Sequence, residues 1–284
     1  MGLTAEKILA GAHLVYRLDS FPIFCGYMLM ILLAGQWKRF TKPLSLRPIL
    51  VAYNFTASVI SLYTLYGFGY GLYHAESTFD GRPSELLVPV YKLYWFMKIF
   101  ELLDTVFMVL RHKQRQISFL HIYHHGSMLI LGDIAFHFYP YTAFATYLGL
   151  NSAVHVLLYF YYGLSALYPD NPPQWKKFLT QFQIIQFFID LIHATIGYLY
   201  HNYCIYGILY GLTMVTLFSN FYYKAYVKKR APVSKPETNG EPVTNDINNG
   251  EIRNGVTKGD IIRNGVTNGD VRNGVAYSDI RKRH

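Results

Sequence analysis

Long apolar runs alternate with short polar ones along most of the chain. Seven runs stand out: Phe21–Trp37, Pro48–Leu72, Pro89–Leu110, Ser118–Phe138, Thr142–Leu164, Phe178–Tyr200 and Tyr203–Tyr223. Each is about as long as a helix needs to cross a hydrocarbon layer of roughly 30 Å. Lipid offers no partner for an open backbone group, so the expected element in every run is an α-helix. The pattern predicts an all-α, polytopic membrane protein with seven transmembrane helices.

Polar residues interrupt these runs at helical spacing. The third carries Lys98, Glu101 and Asp104, stepping by three. The fourth opens on Gln116-Ile-Ser-Phe-Leu-His121-Ile-Tyr123-His124-His125, which puts three imidazoles at i, i+3 and i+4, on one helix face. The fifth bears Asn151, His155 and Tyr159, with Tyr162 beside them, and the sixth bears Gln183, Gln186, Asp190 and His193. Such groups are costly at membrane depth and usually face a bundle interior or cavity. They can act as interhelical glue, and Lys98 with a carboxylate can be a buried ion pair that holds register. Depth argues for more. His124, Asp104, His155 and Gln183 all lie about six to nine residues from one end of their runs, on the order of 10 Å at the helical rise. Four antiparallel helices then place their polar groups in one layer, which implies a buried pocket open toward one membrane face.

Composition agrees with this. Of 284 residues, 52% are hydrophobic and only 15% charged, which suits a polytopic membrane protein. No cleavable signal peptide is expected, because Met1 to Lys7 lacks a basic segment before an apolar core. Cys25 and Cys204 are too few for a disulfide framework or a cysteine-rich metal site, and leave open two free thiols or one bridge.

Charge orients the chain. Lys38, Arg39, Lys42 and Arg47 follow the first run; Arg111, Lys113 and Arg115 follow the third; Lys176 and Lys177 precede the sixth; Lys224, Lys228, Lys229 and Arg230 follow the seventh. The intervening loops are nearly free of Lys and Arg, with Arg82 the exception between Tyr73 and Glu85. This alternation predicts a lumenal N-terminus and a cytosolic C-terminus. After residue 230 the composition turns to Pro, Asn, Gly and Thr, and Arg-Asn-Gly-Val recurs at 253, 263 and 272. Residues 1–230 are therefore expected to form the membrane domain, and 231–284 a disordered cytosolic tail. Its end, Arg281-Lys282-Arg283-His284, resembles a dilysine-type signal for retrieval to the endoplasmic reticulum, with Arg in place of one Lys.

Taken together, Lys98-x-x-Glu101-x-x-Asp104-Thr105, the Gln116–His125 stretch, Asn151-Ser152-x-x-His155-x-x-x-Tyr159-x-Tyr161-Tyr162 and Thr180-x-x-Gln183-x-x-Gln186 resemble the ELO family of very-long-chain fatty acid elongases. The resemblance covers roughly residues 15 to 230 and departs at Leu158, where many members have Met. It implies a 3-ketoacyl-CoA synthase of the endoplasmic reticulum membrane, built as a seven-helix bundle around a closed-ended acyl-chain tunnel. Its substrates would be a long-chain acyl-CoA and malonyl-CoA, with no cofactor or metal and no nucleic-acid partner. Other enzymes of the elongation cycle are implied as partners. Phe119-Leu120-His121-x-Tyr123 is similar to members acting on polyunsaturated or very long chains.

The resemblance also assigns roles. Neither cysteine lies in the polar layer, and imidazole can carry an acyl group. His124 is selected as that carrier by the resemblance and not by spacing. His155 is then partner base or enolate stabiliser. His121 and His125 orient the site, Glu101 and Asp104 fix tautomers, and Lys98 neutralises a carboxylate. Asn151 and Gln186 are donors to oxyanions. Gln116, Tyr159, Tyr162 and Gln183 are expected at the substrate. Arg111, Lys113, Arg115, Lys176 and Lys177 suit the phosphates of CoA, or serve orientation alone. Two other classes share features of the sequence. Membrane di-iron desaturases and hydroxylases use His-x-x-His-His, but in several paired boxes, whereas His112, His137, His155 and His193 stand singly. A seven-helix receptor without catalysis shares the topology.

Overall fold

A computed structural model describes residues 16–228. The expectations for the N-terminal segment and for the tail 231–284 with its terminal signal lie outside these residues. Among the described residues there are eight α-helices: α1 (Ser20–Phe40), α2 (Arg47–Tyr73), α3 (Val88–Glu101), α4 (Leu103–Leu110), α5 (Phe119–Phe138), α6 (Thr142–Leu167), α7 (Lys176–Tyr200) and α8 (Tyr206–Tyr222). A short 3₁₀ turn, Gln114–Gln116, precedes α5.

Four helices, α1, α2, α6 and α7, are long and apolar enough to cross a membrane. The others fall short for visible reasons. α5 is 20 residues long but carries the three histidines and Asp133, and α8 has 17 residues. The third run is not one helix, as expected, but two. At Leu102 the backbone tightens: Leu102 N–H donates to Ile99 O at 3.1 Å, and Thr105 N–H to Leu102 O at 3.1 Å. Such i→i+3 bonds mark a change of helical pitch. The break separates Glu101 from Asp104, so the two carboxylates acquire different neighbours.

Many large apolar side chains face outward, while a set of polar and charged ones is buried among the apolar core. Leu32, Val59, Tyr63, Phe188, Ile192 and Leu209 are exposed, while Lys98, Glu101, Asp133, Asn151 and His155 are buried. That inversion, with the long apolar helices, makes this a multi-pass membrane protein. α2 lies along α6 through small and hydroxylated residues: Ser58 Oγ donates to Val156 O at 2.9 Å and Thr64 Oγ1 to Ser152 Oγ at 3.1 Å. Gly149 lets Phe68 approach so closely that a Cβ would meet its Cβ at 3.3 Å.

One end of the bundle is tied by polar contacts among helix ends. Arg47 donates to Ala166 O and Leu167 O at 3.0 and 2.7 Å. Thr41 pairs with His112 at 3.0 Å, and Gln181 donates to Tyr222 Oη at 3.0 Å. At the other end, the loop between α2 and α3 is knit by Arg82, whose guanidinium holds Asp80 and Glu76 each at 2.7 Å. These bonds hold the Asp80 carboxyl below the usual carboxylate range. The loop docks on the α5–α6 turn through Ala143 N–H to Asp80 O at 2.9 Å and Ser84 N–H to Pro140 O at 3.0 Å.

α1 is anchored from its start. Ser20 N–H donates to Asp133 Oδ2 at 2.7 Å, and Trp95 Nε1–H to Ser20 Oγ at 2.7 Å. Asp133, fully buried on α5, thus serves as the N-terminal cap of another helix, and its other oxygen meets His137 Nδ1 at 2.6 Å. Cys25 and Cys204 are exposed free thiols, so the open choice between thiols and a bridge resolves to thiols.

Candidate active site

The histidine helix begins where Ser118 caps it. The Ser118 hydroxyl accepts from the His121 amide at 3.2 Å, which satisfies one orphan donor of the first turn and fixes where the imidazoles start. From there the 3.6-residue period turns His124 inward, against α6, α7 and α8. His124 is buried, its ring centroid 6.3 Å from that of His155 and about 6 Å from Phe187 and Phe218, both edge-on. Its Nδ1 is buried without a hydrogen-bond partner.

Glu101 is the hub, with 1% of its surface exposed. Lys98 Nζ donates to its Oε1 at 2.8 Å, and His155 Nδ1 lies 2.9 Å from the same oxygen, near enough to pair but without hydrogen-bond alignment. Its Oε2 has no hydrogen-bond partner and stands 3.9 Å from His125 Nδ1. One carboxylate therefore reaches a lysine and two histidines from three helices. A buried charge set of this kind persists only when each member has a partner, because the desolvation cost is large.

Asn151 is oriented from one side. Lys98 Nζ and Tyr94 Oη both donate to its Oδ1, at 2.8 and 2.7 Å. With the carbonyl doubly engaged, its NH₂ points the other way and is presented as a donor. Tyr94 is missing from the residues singled out in the sequence. It sits four before Lys98 and seven before Glu101, on the same face, and that spacing is the signal that would have found it.

The remaining groups divide. Asp104 was expected to fix a histidine tautomer. Its Oδ2 instead accepts from Tyr159 Oη at 2.7 Å, because the break at Leu102 turns it toward α6. His121 Nε2 pairs with Thr105 Oγ1 at 2.7 Å, and Thr105 with Tyr27 Oη at 3.2 Å. The His121 and His125 rings lie 4.4 Å apart. Gln186 donates to Asp190 Oδ2 at 2.8 Å, and Gln183 is half-buried one turn before it. Tyr162 is 41% exposed and lies edge-on to Tyr161 at 5.7 Å. Gln116 is exposed in the 3₁₀ turn. Arg111 and Lys113 are half-buried and Arg115 exposed on the α4–α5 connection, while Lys176 and Lys177 are exposed at the start of α7. Lys177 Nζ stands 5.9 Å above the Tyr222 ring.

Chemically, the centre offers a buried imidazole with a free nitrogen, a second imidazole tied to an anion, and an amide with its donor side presented. These are the parts of a nucleophile, a base and an oxyanion donor. Fold and site define a helical integral-membrane protein with an internal histidine–carboxylate centre. Within that class, residues 18–234 match the family model described as ELO: GNS1/SUR4 family, and the chain belongs to this family. It is similar to very long chain fatty acid elongase 5 of Tachysurus fulvidraco, 35% identical over 247 residues, covering 81% of this chain and 83% of that protein. The elongase 5 of Rattus norvegicus is 34% identical, covering 79% and 81%. Very long chain fatty acid elongase 2 of Mus musculus is 34% identical, covering 84% and 82%.

Proposed function

We propose that this protein is the condensing enzyme of fatty acid elongation, a very-long-chain 3-oxoacyl-CoA synthase. The single observation that carries the reading is the His124–His155–Glu101 arrangement, buried inside a chain of the ELO family. The free His124 imidazole attacks the acyl-CoA thioester carbonyl. The C–S bond breaks, CoA leaves as thiol with the imidazole proton, and the acyl group rests on nitrogen. Malonyl-CoA then loses carbon dioxide. The electron pair released from the C–C bond forms an enolate, which attacks the acyl carbon and expels His124, whose nitrogen takes up a proton from the medium to restore the neutral imidazole. The product is a 3-oxoacyl-CoA two carbons longer. His155, held by Glu101, stabilises the enolate, and the Asn151 amide donates to the developing oxyanion. No cofactor enters these steps.

The same reading extends to the rest of the molecule. All seven apolar runs span the bilayer, with α3 and α4 sharing one crossing, and enclose an acyl tunnel closed at the lumenal end. The N-terminus is lumenal and the membrane is that of the endoplasmic reticulum. Arg111, Lys113, Arg115, Lys176 and Lys177 gather at the cytosolic mouth, where they meet CoA phosphates, and Gln116, Gln183 and Tyr162 line the approach. The acyl chain is long, with polyunsaturated chains included, and the enzymes that reduce and dehydrate the product are its partners. Among the described residues, His112, His137 and His193 do not converge on the histidine centre: His112 pairs with Thr41, His137 with Asp133, and His193 stacks on Phe79. That favours condensation over the di-iron reading, and the buried nucleophile favours it over a receptor. Purified protein given acyl-CoA alone should release one equivalent of CoA and gain the acyl mass. His124→Ala should abolish both; unchanged condensation by that variant would refute the assignment.

A further inference from the structure

A chain of hydrogen bonds runs from α1 into the histidine helix. Tyr27 Oη lies 3.2 Å from Thr105 Oγ1, and Thr105 Oγ1 lies 2.7 Å from Nε2 of His121. The three groups belong to α1, α4 and α5. Thr105 is fully buried and Tyr27 only 4% exposed. The Tyr27 ring packs in an apolar cluster with Leu102, Leu129, Ile23 and Phe24, which offers its hydroxyl nothing else to bond. Asp104, next to Thr105 in the chain, gives its Oδ2 to Tyr159. Among the described residues, Tyr27 Oη has Thr105 as its one hydrogen-bond partner, and Thr105 Oγ1 has Tyr27 and His121. Past His121 the chain meets the centre itself. The His125 ring is 4.4 Å away, and His125 Nδ1 stands 3.9 Å from Glu101 Oε2.

Counting hydrogens decides the direction of this chain. Each hydroxyl brings one hydrogen, and a neutral imidazole brings one that sits on either nitrogen. Three arrangements join all three groups. In the first, His121 Nε2–H donates to Thr105 and Thr105 donates to Tyr27; the phenol hydrogen then has no acceptor. In the second, Nε2–H and the phenol both donate to Thr105, and the threonine hydrogen has none. In the third, Tyr27 donates to Thr105 and Thr105 donates to a bare Nε2, and every hydrogen is placed. A buried donor without an acceptor is costly, so the third arrangement prevails. The bond made at one ring nitrogen fixes which nitrogen carries the proton.

We propose that Tyr27 and Thr105 are positioning residues that hold His121 as its Nδ1–H tautomer, so that His121 serves condensation as a hydrogen donor at Nδ1 and not as a base at Nε2. The use in condensation rests on the elongase reading; the tautomer does not. The histidines then divide their labour. His124 keeps a free Nδ1, while the acceptor nitrogen of His121 is occupied by Thr105. α1 carries none of the residues expected at the site, yet it enters the centre through Tyr27, 78 residues from Thr105 in sequence.

The test joins spectroscopy to kinetics on the full chain in lipid. With imidazoles labelled with ¹⁵N, the His121 signals are those lost in His121→Gln. They should show Nδ1 protonated and Nε2 bare, and Tyr27→Phe should give a mixture of the two tautomers. Tyr27→Phe should lower kcat about tenfold, the size of one lost neutral hydrogen bond, and leave KM unchanged. Thr105→Val should do the same, and adding Tyr27→Phe to it should change nothing further, because the phenol acts only through the threonine. Thr105→Ser keeps the hydroxyl and should retain wild-type kcat; it serves where the valine variant fails to fold. A wild-type His121 protonated at Nε2 overturns the proposal. So do additive losses in the double variant, or a Tyr27→Phe protein that loses thermal stability with its tautomer and kcat intact. A wild-type protein that condenses no acyl-CoA refutes the elongase reading, while the ¹⁵N signals still decide the tautomer.

Discussion

Glu101 shows how much one buried side chain can decide. It holds Lys98 and His155 on a single oxygen, so its loss strands a cation in a low-dielectric interior. Removing one partner of a buried pair typically costs about 3–5 kcal/mol, whereas replacing both is far milder. Glu101→Gln should therefore lower the thermal midpoint sharply and abolish condensation. Lys98→Met combined with Glu101→Gln should recover much of the stability and none of the activity. Equal midpoints for the single and double variants would show that the pair is not the energetic hub. Tyr94 acts more gently. Tyr94→Phe deletes one of two donors to the Asn151 carbonyl and should cost about 1 kcal/mol in stability, with kcat falling about tenfold as the amide loses its fixed orientation. At this scale the sequence was informative where spacing sufficed: i, i+3, i+4 put three imidazoles on one face. It was silent on partner choice. Nothing in the order of residues says that Asp104 takes Tyr159 in place of a histidine, since that depends on a backbone break three-dimensional packing imposes.

The break at Leu102 has no Pro or Gly to announce it, and an apolar run reads as one helix whether or not its pitch changes midway. The run boundaries themselves were legible because hydropathy alone sets them. The anchoring of α1 was not, because its cap comes from Asp133, more than one hundred residues away in sequence. Asp133→Ala removes that cap and strands His137. Losing a cap costs about 0.5–2 kcal/mol, and the readout is a lower midpoint with faster proteolysis at the α1 end. The α2–α3 loop depends on charge instead. Asp80 titrates below its unfolded value because Arg82 bonds its anion. A depressed acid contributes to order above its unfolded pKa and loses that contribution as pH falls through the lower, folded value. Cleavage at Phe79 by an acid-active protease should therefore rise as pH is lowered through the carboxylate range. A flat profile would mean that backbone bonds to Ala143 and Pro140 hold the loop without Arg82.

For the whole molecule, the decisive property is sidedness. The bonds Arg47–Ala166, Thr41–His112 and Gln181–Tyr222 gather the basic connections at one end, while the Arg82-bearing loop docks on the α5–α6 turn. A membrane potential and anionic lipids favour the basic end in the cytosol, which would bring CoA thioesters to the end from which His124 lies a short way in. The exposed thiol of Cys204, just past α7, would then be lumenal. In sealed microsomes with Cys25 replaced by Ser, a membrane-impermeant maleimide should leave Cys204 unlabelled until detergent opens the vesicles. A cysteine placed at Lys176 should label at once. Labelling of Cys204 in intact vesicles would invert the molecule and put its basic mouth in the lumen. That would separate the histidine centre from cytosolic CoA substrates, so the chemistry proposed for His124 stands or falls with the direction of the chain through the bilayer.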